Sequence, residues 1–382
     1  MITSQVTNPL GKEFTMTKAR LLIAGLSLAL VAFVGVPALA FHDGGVADCA
    51  GCHTMHNSQD GVAVDAASPL GNSWLLRDAT PSDVCLNCHA TGLGAVFAAD
   101  VMTPSPLKGA GNFIFLLEDN LNDGHNGGLT DPNGVLLEAI PGDAAGHNLK
   151  APGHGLAADA TLSTAPGGLF PASELGCSSC HDPHGNSGFR MLYGSGRIVQ
   201  AGLAVFTEAA PPAAGLSIFF GSESKTSHTA YQGTEAGANM SKWCSNCHGN
   251  FHSGADGVLR HKTGETLGAT VATTYGLYNG SDSILGGSAL TSYLPEVPFE
   301  DPANTTSSTA GPSASSLVSC ITCHRAHASS AADSGRWDFQ VTFLHEDGDE
   351  SLSYELPDPY ASVNQRSLCN KCHKKDEFDA PF

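Results

Sequence analysis

Positive charge is scarce in this sequence. Its 382 residues include 18 Lys and Arg against 37 Asp and Glu, which gives a formal net charge of −19. An acidic surface repels phosphate backbones and anionic lipids, so nucleic-acid binding and peripheral membrane binding are both disfavoured. The charge favours solubility and attraction to cations or basic partners.

Signals for regular secondary structure are also weak. Charged residues make up only 14% of the chain, whereas glycine occurs 44 times and proline 21 times. This composition disfavours long helices, and few windows keep a helical or strand period. The sequence therefore predicts mostly irregular coil, with short helices around particular motifs and very little sheet.

One long apolar run is present, near the start of the sequence. Lys18 and Arg20 precede an almost unbroken apolar stretch from Leu21 to Val36, and Ala38-Leu39-Ala40 follows it. This pattern is typical of a secretory signal peptide that is cleaved after Ala40. The run is shorter than the roughly 20 residues of a membrane-spanning helix.

The predicted leader sets the boundaries of the mature protein. Residues 1–15 lie ahead of Met16, which itself starts a signal peptide of ordinary length, so we expect a start codon assigned too early. We expect residues 1–40 to be removed. Residues 41–382 should then form one exported domain without a membrane span.

All twelve cysteines belong to C-x-x-C pairs, and a histidine follows every pair at once. The six motifs, numbered 1 to 6 in chain order, are Cys49-Cys52-His53, Cys85-Cys88-His89, Cys177-Cys180-His181, Cys244-Cys247-His248, Cys320-Cys323-His324 and Cys369-Cys372-His373. In c-type attachment the two thiols bond the porphyrin vinyl groups, and the adjacent imidazole binds iron on the proximal side. The sequence predicts six covalently bound haems, and the haem of each motif takes its number below.

Three other interpretations of the cysteines explain the pattern less well. Six disulfides are an ordinary use of an even count in an exported chain, but they require no C-x-x-C-H spacing. A zinc site does not need a histidine directly after each pair. A thioredoxin-like motif would occur once, near a βαβ pattern. The porphyrins would also supply apolar surface that this chain lacks, so burial against haem should hold the fold together.

The sixth ligand of each iron separates an electron carrier from an enzyme, because an open iron face can bind a substrate. Of the 17 histidines, eleven remain after the six proximal ones. Four methionines lie beyond the leader, too few for six irons. His56, His184 and His327 each follow a proximal histidine by three residues, and His252 follows His248 by four. Such a histidine is poorly placed to reach the far face of its own haem, and better placed to reach a neighbouring one.

The remaining histidines are less informative. For His125, His154, His228 and His345, which lie in Gly-rich or polar surroundings, the favoured interpretation is a solvated or structural imidazole. The oxygen-rich stretch from Asp119 to Asp131 is a weak candidate for a bound Ca²⁺ or Mg²⁺, because it lacks the regular spacing and closing glutamate of a calcium loop.

Several segments of the sequence resemble the OmcS-type outer-surface hexahaem cytochromes. The resemblance is carried by blocks in family order, and these blocks contain all or part of every motif except the second, which keeps its CLNCH form. The blocks are Phe41 to Ser58, Leu162 to Gly185, Met240 to Gly254, Leu259 to Gly264, Ile321 to Ser329 and Gln365 to Asp376. The segments 95–140 and 190–235 diverge from the family.

The resemblance implies a largely loop-built protein at the cell surface or outside it, reached through the periplasm. It implies two histidines on every iron and head-to-tail assembly into a conductive filament. His56 would leave its own subunit and bind the haem on Cys320 and Cys323 of the next. There are seven distal candidates for six iron positions, so one of them is a spectator that binds no iron. The candidates are His42, His56, His147, His184, His252, His261 and His327.

The expected function is a relay without catalytic residues. Electrons would enter from an upstream periplasmic or outer-membrane cytochrome, pass along the haems and leave to an external acceptor. Histidine on both iron faces keeps the potentials low relative to His/Met ligation. The alternatives are a multihaem oxidoreductase and a monomeric periplasmic or surface shuttle. All six motifs end in histidine and spare histidines exceed the need, which disfavours catalysis.

Overall fold

The computed structural model describes residues 49–90, 95–99, 109–120, 144–199, 203–215, 222–253, 261–339, 341–346 and 358–375. The predicted leader, His42 and His125 lie outside these ranges, as does most of the Asp119 to Asp131 stretch.

Helices in the described ranges are short. The α-helices are Cys49–Cys52, Pro81–His89, Met240–Ser245, Gly249–Ser253, Gly268–Leu277, Cys320–Cys323 and Asn370–His373. The 3-10 turns are Ser73–Leu75, Phe113–Asn120, Pro152–His154, Ala172–Glu174, Cys177–Ser179, Phe189–Met191, Ala332–Ser334 and Leu344–Glu346. Every motif therefore contains or adjoins a helical turn, as predicted. No helix within these ranges is both long and apolar enough to cross a membrane.

The described sheet consists of four antiparallel ribbons with two residues per strand. Ser58–Gln59 pairs with Val62–Ala63, Ile198–Val199 with Ala204–Val205, Ala213–Ala214 with Ala230–Tyr231, and Glu265–Thr266 with Leu317–Val318. Ribbons of this size are too short for independent stability. The predicted fold class, mostly coil with short helices and very little sheet, is confirmed.

Two of the longer motif helices have conventional N-caps. Thr80 accepts a hydrogen bond from the Asp83 amide at 3.1 Å, and Pro81 follows it at the first helical position. Asn239 accepts from the Lys242 amide at 2.9 Å. These caps satisfy amide groups that a helix start leaves unpaired, and so fix where the helices of motifs 2 and 4 begin.

Three odd-numbered motifs share a local structure that we call the docked turn. It consists of two successive residues at positive φ, in the turns Ser73–Leu75, Phe189–Met191 and Ala332–Ser334. In motif 1 the pair is Trp74 at φ 61° and Leu75 at φ 58°. The equivalent pairs are Arg190 with Met191 and Asp333 with Ser334. Non-glycine residues in this region cost roughly 1 kcal/mol or more each, so the surrounding contacts must compensate.

The same backbone hydrogen bonds hold each docked turn against its motif. In motif 1, the Thr54 amide donates to the Leu75 carbonyl at 2.7 Å and the Arg77 amide donates to the Cys52 carbonyl at 3.0 Å. The corresponding bonds of motif 3 are Asp182 to Met191 and Tyr193 to Cys180, and those of motif 5 are Arg325 to Ser334 and Arg336 to Cys323. The motifs are unequally spaced along the sequence, yet the local structure of alternate motifs repeats in three dimensions.

Within the part of the chain that the structure describes, the apolar core is divided into three small clusters, and each one packs on motif cysteines. The first cluster contains Phe113, Phe115 and Leu149 and packs on Cys177. The second contains Tyr193, Phe206, Met240 and Trp243 and packs on Cys180 and Cys244. The third contains Tyr275, Tyr293 and Trp337 and packs on Cys323, Cys369 and Cys372. The core therefore follows the row of motifs.

Candidate haem sites

Successive motifs are neighbours in space in the order in which they occur along the chain. The Cys177 amide donates a hydrogen bond to the Ser82 hydroxyl at 3.1 Å, which joins motif 3 to the helix of motif 2. The Cys320 amide donates to the Ser241 hydroxyl at 3.1 Å, which joins motif 5 to the helix of motif 4.

The other successive motifs are connected by cysteine thiols that lie within electrostatic range of each other. Cys52 is close to Cys88, Cys180 to Cys247, and Cys323 to both Cys369 and Cys372. Together with the two hydrogen-bonded pairs, these contacts arrange motifs 1 to 6 in one continuous row.

The docked turns orient the proximal imidazoles. In motif 1, Nδ1 of His53 lies 2.9 Å from the Trp74 carbonyl oxygen. In motifs 3 and 5, Nδ1 of His181 and of His324 each lie 2.8 Å from the carbonyl oxygens of Arg190 and Asp333. An Nδ1–H that donates to a backbone carbonyl leaves Nε2 as the free ligand atom and fixes the ring orientation.

Sequence reasoning missed these three carbonyl-bearing residues. Glycine is the usual sign of positive φ, and none of the three positions is a glycine. Their distance from the motif also varies, since Trp74 lies much farther along the chain from its histidine than Arg190 and Asp333 do from theirs. No sequence signal marked them.

Among the described residues, three pairs of histidines face each other across a gap of similar width. The ring centroids are 6.3 Å apart for His53 and His184, 5.9 Å for His147 and His248, and 6.2 Å for His261 and His373. His181 and His327 also lie within electrostatic range of each other, and they form a fourth pair of a proximal histidine with a distal candidate.

These separations test whether haem iron fits between the rings. Metal–nitrogen bonds of about 2 Å on each side, plus the distance from each nitrogen to its ring centre, put two axial imidazoles about 6 Å apart. The measured separations match this value. Each of the three pairs combines a proximal histidine with a predicted distal one, so the residues present fit six-coordinate haem.

Burial keeps two of the distal candidates in the neutral form that coordinates iron. Desolvation lowers the pKa of half-buried His147 to about 4 and that of half-buried His327 to about 3. Nδ1 of His147 lies 3.0 Å from the Ala326 carbonyl oxygen, and the His327 ring stacks on Phe113 with centroids 4.4 Å apart. Both rings are thereby held in place.

The remaining histidines named here, the candidate His56 and three that are not distal candidates, differ in their surroundings. His56 is exposed, beside exposed apolar side chains of the motif 1 region. His228 is buried and stacks on Tyr293 at 3.7 Å, while His154 and His345 contact the rings of Phe97 and Phe343.

A buried lysine lies inside motif 6. Lys371 is 2% exposed, and its ammonium donates to the Tyr278 carbonyl at 2.9 Å and lies 4.6 Å from the centre of the Tyr275 ring. Desolvation lowers the pKa of Lys371 to about 7. Carbonyl and aromatic faces partly replace its hydration.

A buried glutamate lies between motifs 4 and 5. Glu300 is fully buried and accepts a hydrogen bond from the Met240 amide at 2.9 Å. Desolvation raises the pKa of Glu300 to about 7, from a usual value near 4.5. The folded state therefore binds this proton more tightly than the unfolded state does.

A pH dependence of stability follows from Glu300. The stabilisation is fully present below about pH 4.5 and is lost as the pH rises to about 7, with a total of about 3 kcal/mol at 1.4 kcal/mol per pKa unit. Glu300→Gln keeps the acceptor oxygen and removes the titration. Denaturant unfolding of the haem-loaded protein at pH 5 and pH 8 should show a smaller pH difference in the variant. Equal pH differences in the two proteins would contradict the assignment.

The site and fold together are those of a c-type cytochrome, a class of electron-transfer protein with covalently attached haem. No family model matches the chain. It is 33% identical to the C-type cytochrome OmcS of Geobacter sulfurreducens, over 89% of this chain and 95% of that protein. The chain belongs to the OmcS family of c-type cytochromes, as its motif blocks had indicated.

Solved structures agree with this assignment. The chain resembles the outer membrane cytochrome S filament of Geobacter sulfurreducens with a TM-score of 0.72 and 30% identity, over 88% of this chain and all of that one. A structure of the OmcS nanowires of the same organism, determined by cryo-electron microscopy, gives a TM-score of 0.72 and 29% identity over the same shares.

Proposed function

We propose that this chain conducts electrons outside the cell through six bis-histidine haems, and that copies of it join head to tail in a conductive filament. The continuous row of motifs carries this proposal, because it places each cofactor beside the next. Residues 41–382 are the mature domain, released by cleavage after Ala40. The twelve motif cysteines attach the haems, and the six motif histidines bind iron on the proximal side.

A simple order relates the odd-numbered haems to their distal ligands. His184, which follows motif 3, faces His53 of motif 1. His327, which follows motif 5, lies by His181 of motif 3. Each odd haem thus takes its distal histidine from the next odd motif. Haem 5 is the next in this series, and the equivalent CHxxH histidine is His56 of another subunit.

The even-numbered haems follow a second order. His147 lies ahead of motif 3 and faces His248 of motif 4, and His261 lies ahead of motif 5 and faces His373 of motif 6. Each even haem takes a histidine from the segment before the preceding odd motif. By this order His42, which lies ahead of motif 1, is the distal ligand of haem 2.

The two orders account for six of the seven distal candidates. His42, His147 and His261 serve the even haems, and His56, His184 and His327 serve the odd ones. His252 is left as the spectator. The repeating unit is a haem pair, made of one odd and one even motif, and the filament continues that repeat from subunit to subunit.

The surface around His56 suits contact with a second copy. Leu70 is fully exposed, Met55 is 77% exposed and Trp74 is 76% exposed. Leu75 lies beside them, and His56, Met55, Leu70 and Leu75 line one shallow depression of about 360 Å³. Clustered apolar groups on a soluble chain mark an interaction surface. An inserted imidazole would bury this apolar surface as it reaches iron.

The physiological partners lie at the ends of such a relay. An upstream periplasmic or outer-membrane cytochrome would supply electrons, and an acceptor outside the cell would receive them. The solved relatives are themselves filaments.

Electron microscopy of material secreted from a host competent in cytochrome c maturation tests the proposal. We expect fibres in which every subunit carries six haems by mass spectrometry. Discrete particles with six haems each would instead support a monomeric shuttle. Fewer than six haems per subunit would contradict the attachment sites.

The pairing at haem 1 has its own test. His184→Met should replace imidazole by thioether at that iron and raise its reduction potential, since His/Met ligation favours the ferrous state relative to bis-histidine ligation. Spectroelectrochemical titration should show one of the six steps moving upward. His154→Met is the matched control, because His154 contacts Phe97 and faces no proximal histidine among the described residues. The same shift in both variants would contradict the pairing.

A further inference from the structure

The iron of haem 5 differs from the others in how its second ligand is supplied. Its proximal histidine, His324, is already positioned within the subunit. Nδ1 of His324 lies 2.8 Å from the Asp333 carbonyl oxygen, and the Phe339 and His324 rings meet edge to face with centroids 5.3 Å apart. The docked turn of motif 5 therefore orients His324 without help from another subunit.

The histidines nearest to His324 within the described chain are already engaged. His147 and His248 both lie near His324, but they face each other at 5.9 Å. His327 follows His324 by three residues, yet its ring is stacked on Phe113 at 4.4 Å on the side of haem 3. Neither arrangement lets an imidazole move to haem 5 without breaking another site.

The methionines of the described chain offer no substitute. Met240 is 3% exposed and packs with Trp243 in the second core cluster. Met191 lies within the docked turn of motif 3, where its backbone carbonyl accepts from Asp182 at 2.9 Å. Met55 lies beside His56, on the apolar surface that would contact the neighbouring subunit.

We propose that haem 5 of an unassembled subunit, and of the subunit at one end of every filament, is an open site that binds small iron ligands such as carbon monoxide, nitric oxide or cyanide. This inference rests on the proposed assembly through His56. Insertion of His56 from a neighbour closes the site, so polymerisation and ligand binding exclude one another. Each filament then has one chemically distinct end, while its other five haem types are closed everywhere.

Carbon monoxide titration of the reduced, fully matured protein tests this inference. Wild-type fibres should bind almost no carbon monoxide. His56→Ala subunits should bind one molecule per six haems, and added imidazole should compete with it. Leu70→Glu gives a second source of free subunits, because it places a charge on the contact surface and leaves His56 intact. It should show the same stoichiometry.

The outcomes separate this inference from the assembly proposal. If either variant is dispersed but binds no carbon monoxide, haem 5 is closed from within its own subunit and the open site is refuted, while head-to-tail contact stands. If a dispersed variant binds more than one molecule per six haems, the assignment to haem 5 alone is refuted. If His56→Ala still forms fibres that bind none, the ligation by His56 is itself wrong, and the inference fails with it.

Discussion

Replacing His56 by alanine is expected to abolish fibre formation while leaving six haems attached to every subunit. In the proposed assembly the change removes one metal–ligand bond at each subunit junction and leaves the motif cysteines untouched. A few residues carry most of the energy of an interface, and the iron ligand would be foremost among them, so its loss should outweigh any other single change at the junction. Electron microscopy and analytical ultracentrifugation of secreted protein measure the effect.

His252→Ala is the matched control for this experiment. His252 also follows a proximal histidine closely, in the sequence CHGNFH, but the two ligation orders leave it without an iron. We expect its alanine variant to form fibres of normal length. Fibre loss in the His252 variant and persistence in the His56 variant would reverse the assignments of interface ligand and spectator.

The second large effect concerns folding without haem. Polypeptide that has not passed through haem attachment should be unfolded, because cofactor binding and folding are coupled when the site provides most of the core. The three core clusters are small and pack on the motif cysteines, and every described strand has only two residues. Circular dichroism and hydrogen exchange should show no cooperative structure.

Removing single haems gives a graded version of the same experiment. Cys177→Ala with Cys180→Ala removes haem 3, whose two cysteines pack on two different core clusters. Cys49→Ala with Cys52→Ala removes haem 1 at the end of the row, where the motif helix has no buried residue. We expect the first pair to prevent accumulation of folded protein and the second to be tolerated. A native-like apoprotein, or equal effects of the two pairs, would contradict a haem-centred core.

Much of this architecture was predictable from spacing alone, because C-x-x-C-H specifies a covalent reaction with one cofactor. The family and the scarcity of regular structure followed from local features, and the same features predict the six attachment sites. Partner choice among the distal histidines depends on contacts between distant segments. His147 and His248, for example, are 101 positions apart, and no periodic signal links them. Their facing rings become visible only in three dimensions.

The docked turns were hidden for another reason. Trp74, Arg190 and Asp333 adopt positive φ although none is a glycine, and of the three only Asp333 is of a type enriched in this region, so local propensity disagrees with the structure at Trp74 and Arg190. Tertiary hydrogen bonds from the motif backbone override that preference. Such positions are expected where a cofactor ligand must be oriented, since strain persists only where surrounding structure enforces it.

The alternation of ligands also has a mechanical consequence. In the proposed ligation, each odd iron is bound on one side by the histidine of its own motif and on the other by a histidine that follows the next odd motif, so the iron cross-links two segments of the chain. Under tension, a fibre built this way transmits load through coordination bonds at subunit junctions as well as inside subunits. Its rupture force should then depend on iron oxidation state and on competing imidazole, and a purely peptide-packed fibre would respond to neither.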